Sequence, residues 1–182
     1  MPFNFEMQST FKLINMKIET PQQLDRKIKR LILLFLIGLC LRGITAFPLL
    51  QEVTFLHNKV GPLLPFYMQH WIDKVYNGIA VVNSSSPFMA YGTDWLAFAH
   101  LVIAVVFLGP YSDPVRNIWV IQFGRIACYL IFPLAFICGP IRGIPFWWQL
   151  IDCSFGAGGL ILLTCIYRNI QKLETLLINT NI

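Results

Sequence analysis

Arg42, His100, Arg125 and Asp152 each interrupt a long apolar run of the chain. Guanidinium, imidazole and carboxylate groups bind ions, relay protons and hydrogen-bond small polar ligands. Inside hydrocarbon each costs roughly 2.5–3.5 kcal/mol when charged, so such residues pair with one another or mark a site. Helical rise gives their depth. Arg42 lies roughly 20 Å along its helix from Ile28, and His100 and Asp152 lie roughly 9 Å from the outer ends of their runs. In a hydrocarbon core of ~30 Å these three share one layer in the outer half. Arg125, roughly 12 Å from the inner end of its run, matches Asp152 less well. Two readings stand side by side. In one, Arg42 pairs with Asp152 to fix helix packing and His100 hydrogen-bonds a neighbour. In the other, the layer is a small-molecule or proton site opening outward, with Glu52, Asp94 and Arg142 at its rim. The candidate ligand-binding set is Arg42, His100, Asp152 and Arg142, and no residue is assigned a catalytic role.

The remaining reactive residues suggest no cofactor. The cysteines, Cys40, Cys128, Cys138, Cys153 and Cys165, lie in or at the ends of apolar runs, and none forms the CxxC pair of a thiol-redox enzyme. They read as small apolar residues of packed helices. Of the three histidines, only His100 falls inside an apolar run, and no two share an i, i+4 helical face. Haem held by two facing histidines and a His-metal site are both unsupported.

Composition determines what must position the polar layer. Of 182 residues, 56% are hydrophobic, 14% aromatic and only 13% charged, with mean hydropathy +0.61. A soluble domain carries about 25% charged residues, so too few are present to cover a water-facing surface. Disorder, collagen and coiled coil are excluded by the same composition. The apolar runs predict an all-α polytopic membrane protein, a bundle of four membrane helices spanning about residues 28–49, 94–110, 117–138 and 146–167. Thr20-Pro21-Gln22-Gln23 predicts the start of the first helix, with Thr20 as N-cap, Pro21 at N1 and Gln23 completing a capping box. Residues 1–27 form a segment before the membrane domain of 28–167, and 168–182 form a tail, a polar-to-amphipathic helix that fades out at Asn179. Met16 is an alternative start. No cleavable signal peptide is expected, because Glu6 and the lack of an apolar core mark the first 15 residues.

The long connection 51–93 is expected to hold structure of its own. Trp71, Ile72, Val75, Tyr76 and Ile79 recur at helical spacing with Gln69, Asp73, Lys74 and Asn77 between them. That pattern predicts an amphipathic helix on the membrane surface. Asn83-Ser84-Ser85 matches a glycosylation sequon but reads as part of a turn. Gly109–Pro114 and Gly139–Pro145 read as breaks.

The net charge is +5, from 14 Lys and Arg against 9 Asp and Glu. These cations read as topology signals: nine fall on the face that holds both termini and three on the opposite face. The positive-inside rule then puts both termini in the cytoplasm. Trp71, Trp95, Trp147 and Trp148 would lie at the outer interface and Trp119 at the inner one. The basic residues lack interleaved aromatics, so no nucleic-acid partner is expected. Ser154 and Gly158 form a small-xxx-small pair that permits close helix approach, within the bundle or to a partner.

The stretches Tyr91–His100 (YGTDWLAFAH), Asp113–Asn117 (DPVRN) and Gly139–Asp152 (GPIRGIPFWWQLID) resemble a family of uncharacterised bacterial four-span inner-membrane proteins, over most of residues 28–170. The resemblance implies an integral bacterial inner-membrane location and no specific activity. The expected function is non-catalytic: an accessory or assembly partner acting through helix packing, in the lipid bilayer with a membrane protein partner or a second copy. The alternative is binding or transport of a small molecule by the polar layer.

Overall fold

The computed structural model describes residues 20–180. The alternative start at Met16, and the charges of Lys12 and Lys17 counted for topology, lie outside the described residues. All secondary structure among the described residues is helical: α1 Pro21–Ala46, α2 Leu49–Phe55, α3 Phe66–Ser85, α4 Tyr91–Val106, α5 Leu108–Ser112, α6 Ile118–Ile141 and α7 Phe146–Thr180. Three stretches are long and apolar enough to cross a membrane, 87–112, 118–141 and 146–179. The number rises to four if α1 and the bent segment after it, up to Leu63, count as one broken span. α1 falls short alone because its uncharged run extends only from Leu31 to Leu41, between Arg30 and Arg42.

The start of α1 is the predicted capping box. The Gln23 N–H donates to Thr20 Oγ1 at 3.3 Å, and the Thr20 N–H donates to Gln23 Oε1 at 3.1 Å. Its end is earlier than the expected 49. Pro48 cannot continue the ladder and clashes with the preceding turn. The helix therefore stops at Ala46, and the chain turns by 93° into α2. A π-helical turn, Leu56–Val60, and a 3₁₀ turn, Gly61–Leu63, lead to α3. A helix therefore covers the apolar repeat of 71–79 and extends beyond it at both ends. Ile72 is its one buried residue.

The break before α7 is a Schellman motif. Gly143 takes φ +66°, the Ile144 N–H donates to Gly139 O at 2.9 Å and the Gly143 N–H to Pro140 O at 3.0 Å. Glycine has no Cβ to oppose this left-handed turn, and Pro145 two residues on cannot continue α6; its carbonyl instead accepts the first bonds of α7, from the Trp148 N–H at 2.9 Å and the Gln149 N–H at 3.2 Å. The other break is built on Asp113 and Asn117. The Asp113 carboxylate accepts the Arg116 N–H at 3.1 Å, and Asn117 Nδ2 donates to Gly109 O and Asp113 O.

α1 packs on α4 and α7, and α6 pairs with α7 along its length. The core is a stripe of α1, Leu24, Ile28, Ile32 and Leu36, joined to Leu163, Ile166, Ile170 and Leu173 of α7 and to Phe107, Val120 and Ile121. The 3-4-3 spacing on α7 is the register that keeps one helix face against a neighbour. It runs past residue 167 without interruption, so the helix expected for the tail is continuous with the fourth apolar run in one 35-residue helix.

Candidate functional site in the cleft between α1 and α7

α1, α4, α6 and α7 surround a cleft of about 640 Å³, within the range of ligand pockets. Arg42, His100 and Asp152 all line it. The depth estimate therefore put together three residues that three different helices deliver to one place. Arg142 is not among them: it caps the C-terminus of α6, is exposed, and does not line this cleft. Asp94 lines a separate hollow with Phe47, Tyr91, Trp95 and Phe98.

Arg42 and Asp152 share the cleft without closing an ion pair. The Arg42 guanidinium lies over the Phe155 ring, 4.8 Å from its centroid. A cation over an aromatic face gains about 0.5–2 kcal/mol, and the contact holds Arg42 beside α7. Phe155 follows Asp152 by three residues, so both project from one face of α7. The His100 Nδ1–H donates to Leu96 O at 2.7 Å, within its own helix. That bond places a hydrogen on Nδ1 and leaves Nε2 to face the cleft lining, as an acceptor in the neutral ring. Thr45 adds a hydroxyl one turn from Arg42, itself bonded to Arg42 O at 3.4 Å. The arrangement offers donors on α1 and acceptors on α4 and α7, in an otherwise apolar groove.

Glycines shape that groove in two opposite ways. At Gly156 a Cβ would meet the Cys128 carbonyl oxygen at 3.0 Å and Ile131 Cβ at 3.2 Å, and at Gly159 it would meet Cys128 Sγ at 2.8 Å. These two let α6 and α7 approach closely. At Gly38 and Gly158, both in the cleft wall, a Cβ would meet nothing within 4 Å. Within this chain the small-xxx-small pair Ser154 and Gly158 is therefore not the helix contact. Ser154 is exposed and donates to Ile151 O of its own helix at 2.6 Å, and Gly158 leaves empty space.

Arg125 belongs to a different cluster. Its guanidinium lies 4.6 Å from the centroid of Tyr167, whose hydroxyl accepts from Gln122 at 3.5 Å and Gln171 at 3.2 Å. Arg125 Nε is buried without a hydrogen-bond partner. Sequence reasoning missed Phe155 and Tyr167 as the partners of the two arginines; its reading of Cys128 as a packed apolar residue agrees with the core position of that side chain, which also lines the cleft. The i, i+3 spacing of Asp152 and Phe155 was the available signal for one; the Arg125–Tyr167 match crosses helices and had none.

The histidines remain apart. His57 Nε2 lies 3.1 Å from Asp73 Oδ1, its Nδ1 lies 2.8 Å from Asn58 Oδ1, and its ring stacks on Tyr76 at 4.4 Å. These contacts tie the π-helical turn to α3. Among the described residues, no group of three or more His, Cys, Asp or Glu side chains is placed to hold a metal ion. Trp71, Trp147 and Trp148 meet edge-on where α3 reaches the start of α7. Trp119 stands exposed near the start of α6. No family model, no curated protein and no solved structure matches the chain.

Proposed function

We propose that the chain is a four-span integral membrane protein that binds a small molecule in the cleft between α1 and α7, without catalysing a reaction on it. The observation that carries this reading is the meeting of Arg42, His100 and Asp152, from three helices, in one cleft. A pair serving packing alone gains most by direct contact, because a buried charge is compensated only at close range. Here both charges line one cleft and no ion pair joins them. α1 and its bent continuation form the first span, α3 lies on the outer membrane surface, and both termini face the cytoplasm. A bacterial inner-membrane location rests on the resemblance alone and is part of the proposal.

A second reading keeps the protein as an accessory or assembly partner. It is favoured by Ser154 and Gly158, small residues of α7 with no neighbouring helix against them, which leave room for a helix of another protein. Native mass spectrometry of the full chain from mild detergent separates the two. The binding reading expects a retained mass below that of a protein, lost in Gly158→Leu. A second polypeptide that disappears with the same substitution would overturn it in favour of the partner reading.

A further inference from the structure

We infer that the occupant of this cleft is an uncharged amphiphile, one apolar chain ending in a hydroxyl head, such as a long-chain alcohol or a monoacylglycerol. The inference rests on the binding reading above and adds the chemical class.

The cleft is polar at one end and apolar at the other. Arg42, Thr45, His100 and Asp152 gather at one end, and Leu34 and Leu162 mark the other. Helical rise puts Leu34 about 12 Å from Arg42 and Leu162 about 15 Å from Asp152. Between them the wall is Phe35, Leu39 and Ile131, and its floor is opened by Gly38 and Gly158, where a side chain would meet nothing of this protein. A groove of that shape takes a narrow apolar chain.

The head group follows from charge. Arg42 and Asp152 cancel, so the site is formally neutral. A carboxylate head would satisfy Arg42 and be repelled by Asp152; an ammonium head would do the reverse. Either would leave a net charge in hydrocarbon, which is costly. What the site lacks is a group that accepts from the Arg42 guanidinium and donates to the Asp152 carboxylate or to His100 Nε2. A hydroxyl does both. Neither charge closes an ion pair among the described residues, and His100 Nδ1–H is already taken by Leu96 O, so Arg42 and Asp152 keep hydrogen-bonding capacity at the cleft they line.

The test uses the full chain in lipid nanodiscs and three photoactivatable probes that share one alkyl chain and end in an alcohol, a carboxylic acid or an amine. Cross-linked peptides are identified by mass spectrometry. The alcohol should label segments 34–45 and 152–162 about tenfold more than the acid or the amine, the ratio that one charge-assisted hydrogen bond supplies. Labelling by the alcohol should be lost in Gly158→Leu and in Gly38→Leu, which fill the groove from opposite helices. It should persist in Ile161→Leu on an exposed face of α7. Stronger labelling by the acid or the amine would overturn the head-group assignment and leave the cleft reading standing. Labelling of these segments no stronger than of the exposed face, by any probe, would overturn both. Alcohol labelling that survives both glycine substitutions would refute occupancy of the groove.

Discussion

Gly156 and Gly158 are two residues apart in one helix, and alanine at each should act in opposite ways. Both substitutions replace the worst common helix former by the best, a gain of about 1 kcal/mol in an exposed helix interior. That gain is shared, so it cancels from the difference between the variants. At Gly158 a methyl group enters open space and costs nothing further. At Gly156 it enters at 3.0 Å from a backbone oxygen of α6 and 3.2 Å from Ile131 Cβ. Neither atom turns away by rotating a side chain, so α6 and α7 must separate by a few tenths of an ångström. Overpacking of this kind costs about 1–3 kcal/mol. Gly158→Ala should therefore unfold above the parent and Gly156→Ala at or below it. For a domain of this size 1 kcal/mol moves Tm by about 2–4 °C, so the two variants should differ by about 2–12 °C. Thermal unfolding in one detergent, followed by tryptophan fluorescence, reads the difference directly. Equal midpoints, or the reverse order, would refute the assignment of Gly156 to the helix contact and Gly158 to the cleft.

Three further outcomes are expected. Arg42→Leu and Asp152→Leu should each lower folded yield and the double change should partly restore it, with a coupling of at least about 0.5 kcal/mol in a double-mutant cycle; strictly additive effects would show that the two charges do not sense each other. Reporter fusions after Asn179 and within Asn83–Ser86 should report opposite sides of the membrane, whereas the same side at both would mean an even number of crossings between them. Cysteine scanning from Gln69 to Ala80 should label with helical periodicity and a minimum at Ile72, the buried position of α3; uniform labelling would mean that this segment is a loose loop.

The sequence made some features legible because they are local. Thr20, Pro21 and Gln23 carry the whole capping box within four residues, and Gly139–Pro145 holds every residue of the Schellman turn. The shared layer of Arg42, His100 and Asp152 was legible for a less common reason: in a membrane helix, position along the sequence is also depth, so three separate runs can be aligned by counting. Rotation about the helix axis is not fixed by depth. That is why the same counting placed Arg42 and Asp152 face to face, while the guanidinium in fact rests on Phe155. It is also why the pair Ser154 and Gly158 left open whether a bundle helix or a partner approaches it, while Gly156 and Gly159 make the contact with α6. Arg142 was grouped with the layer by its nearness to the outer end, but the Schellman turn carries it away from the cleft. The end of the first helix was placed three residues late because the apolar run passes through Pro48, where hydropathy continues and backbone geometry does not.

The buried stripe of α1 has a consequence for the order in which the protein can be made. Leu24, Ile28, Ile32 and Leu36 leave the ribosome before the α7 residues that cover them, Leu163 to Leu173, which come well over a hundred residues later. At about 5–20 residues per second, that interval lasts on the order of ten to thirty seconds. Within it α4 and α5, which also pack on α1, and Phe107, Val120 and Ile121 of the same core are available to shelter the stripe. α1 thus waits half-covered until α7 arrives.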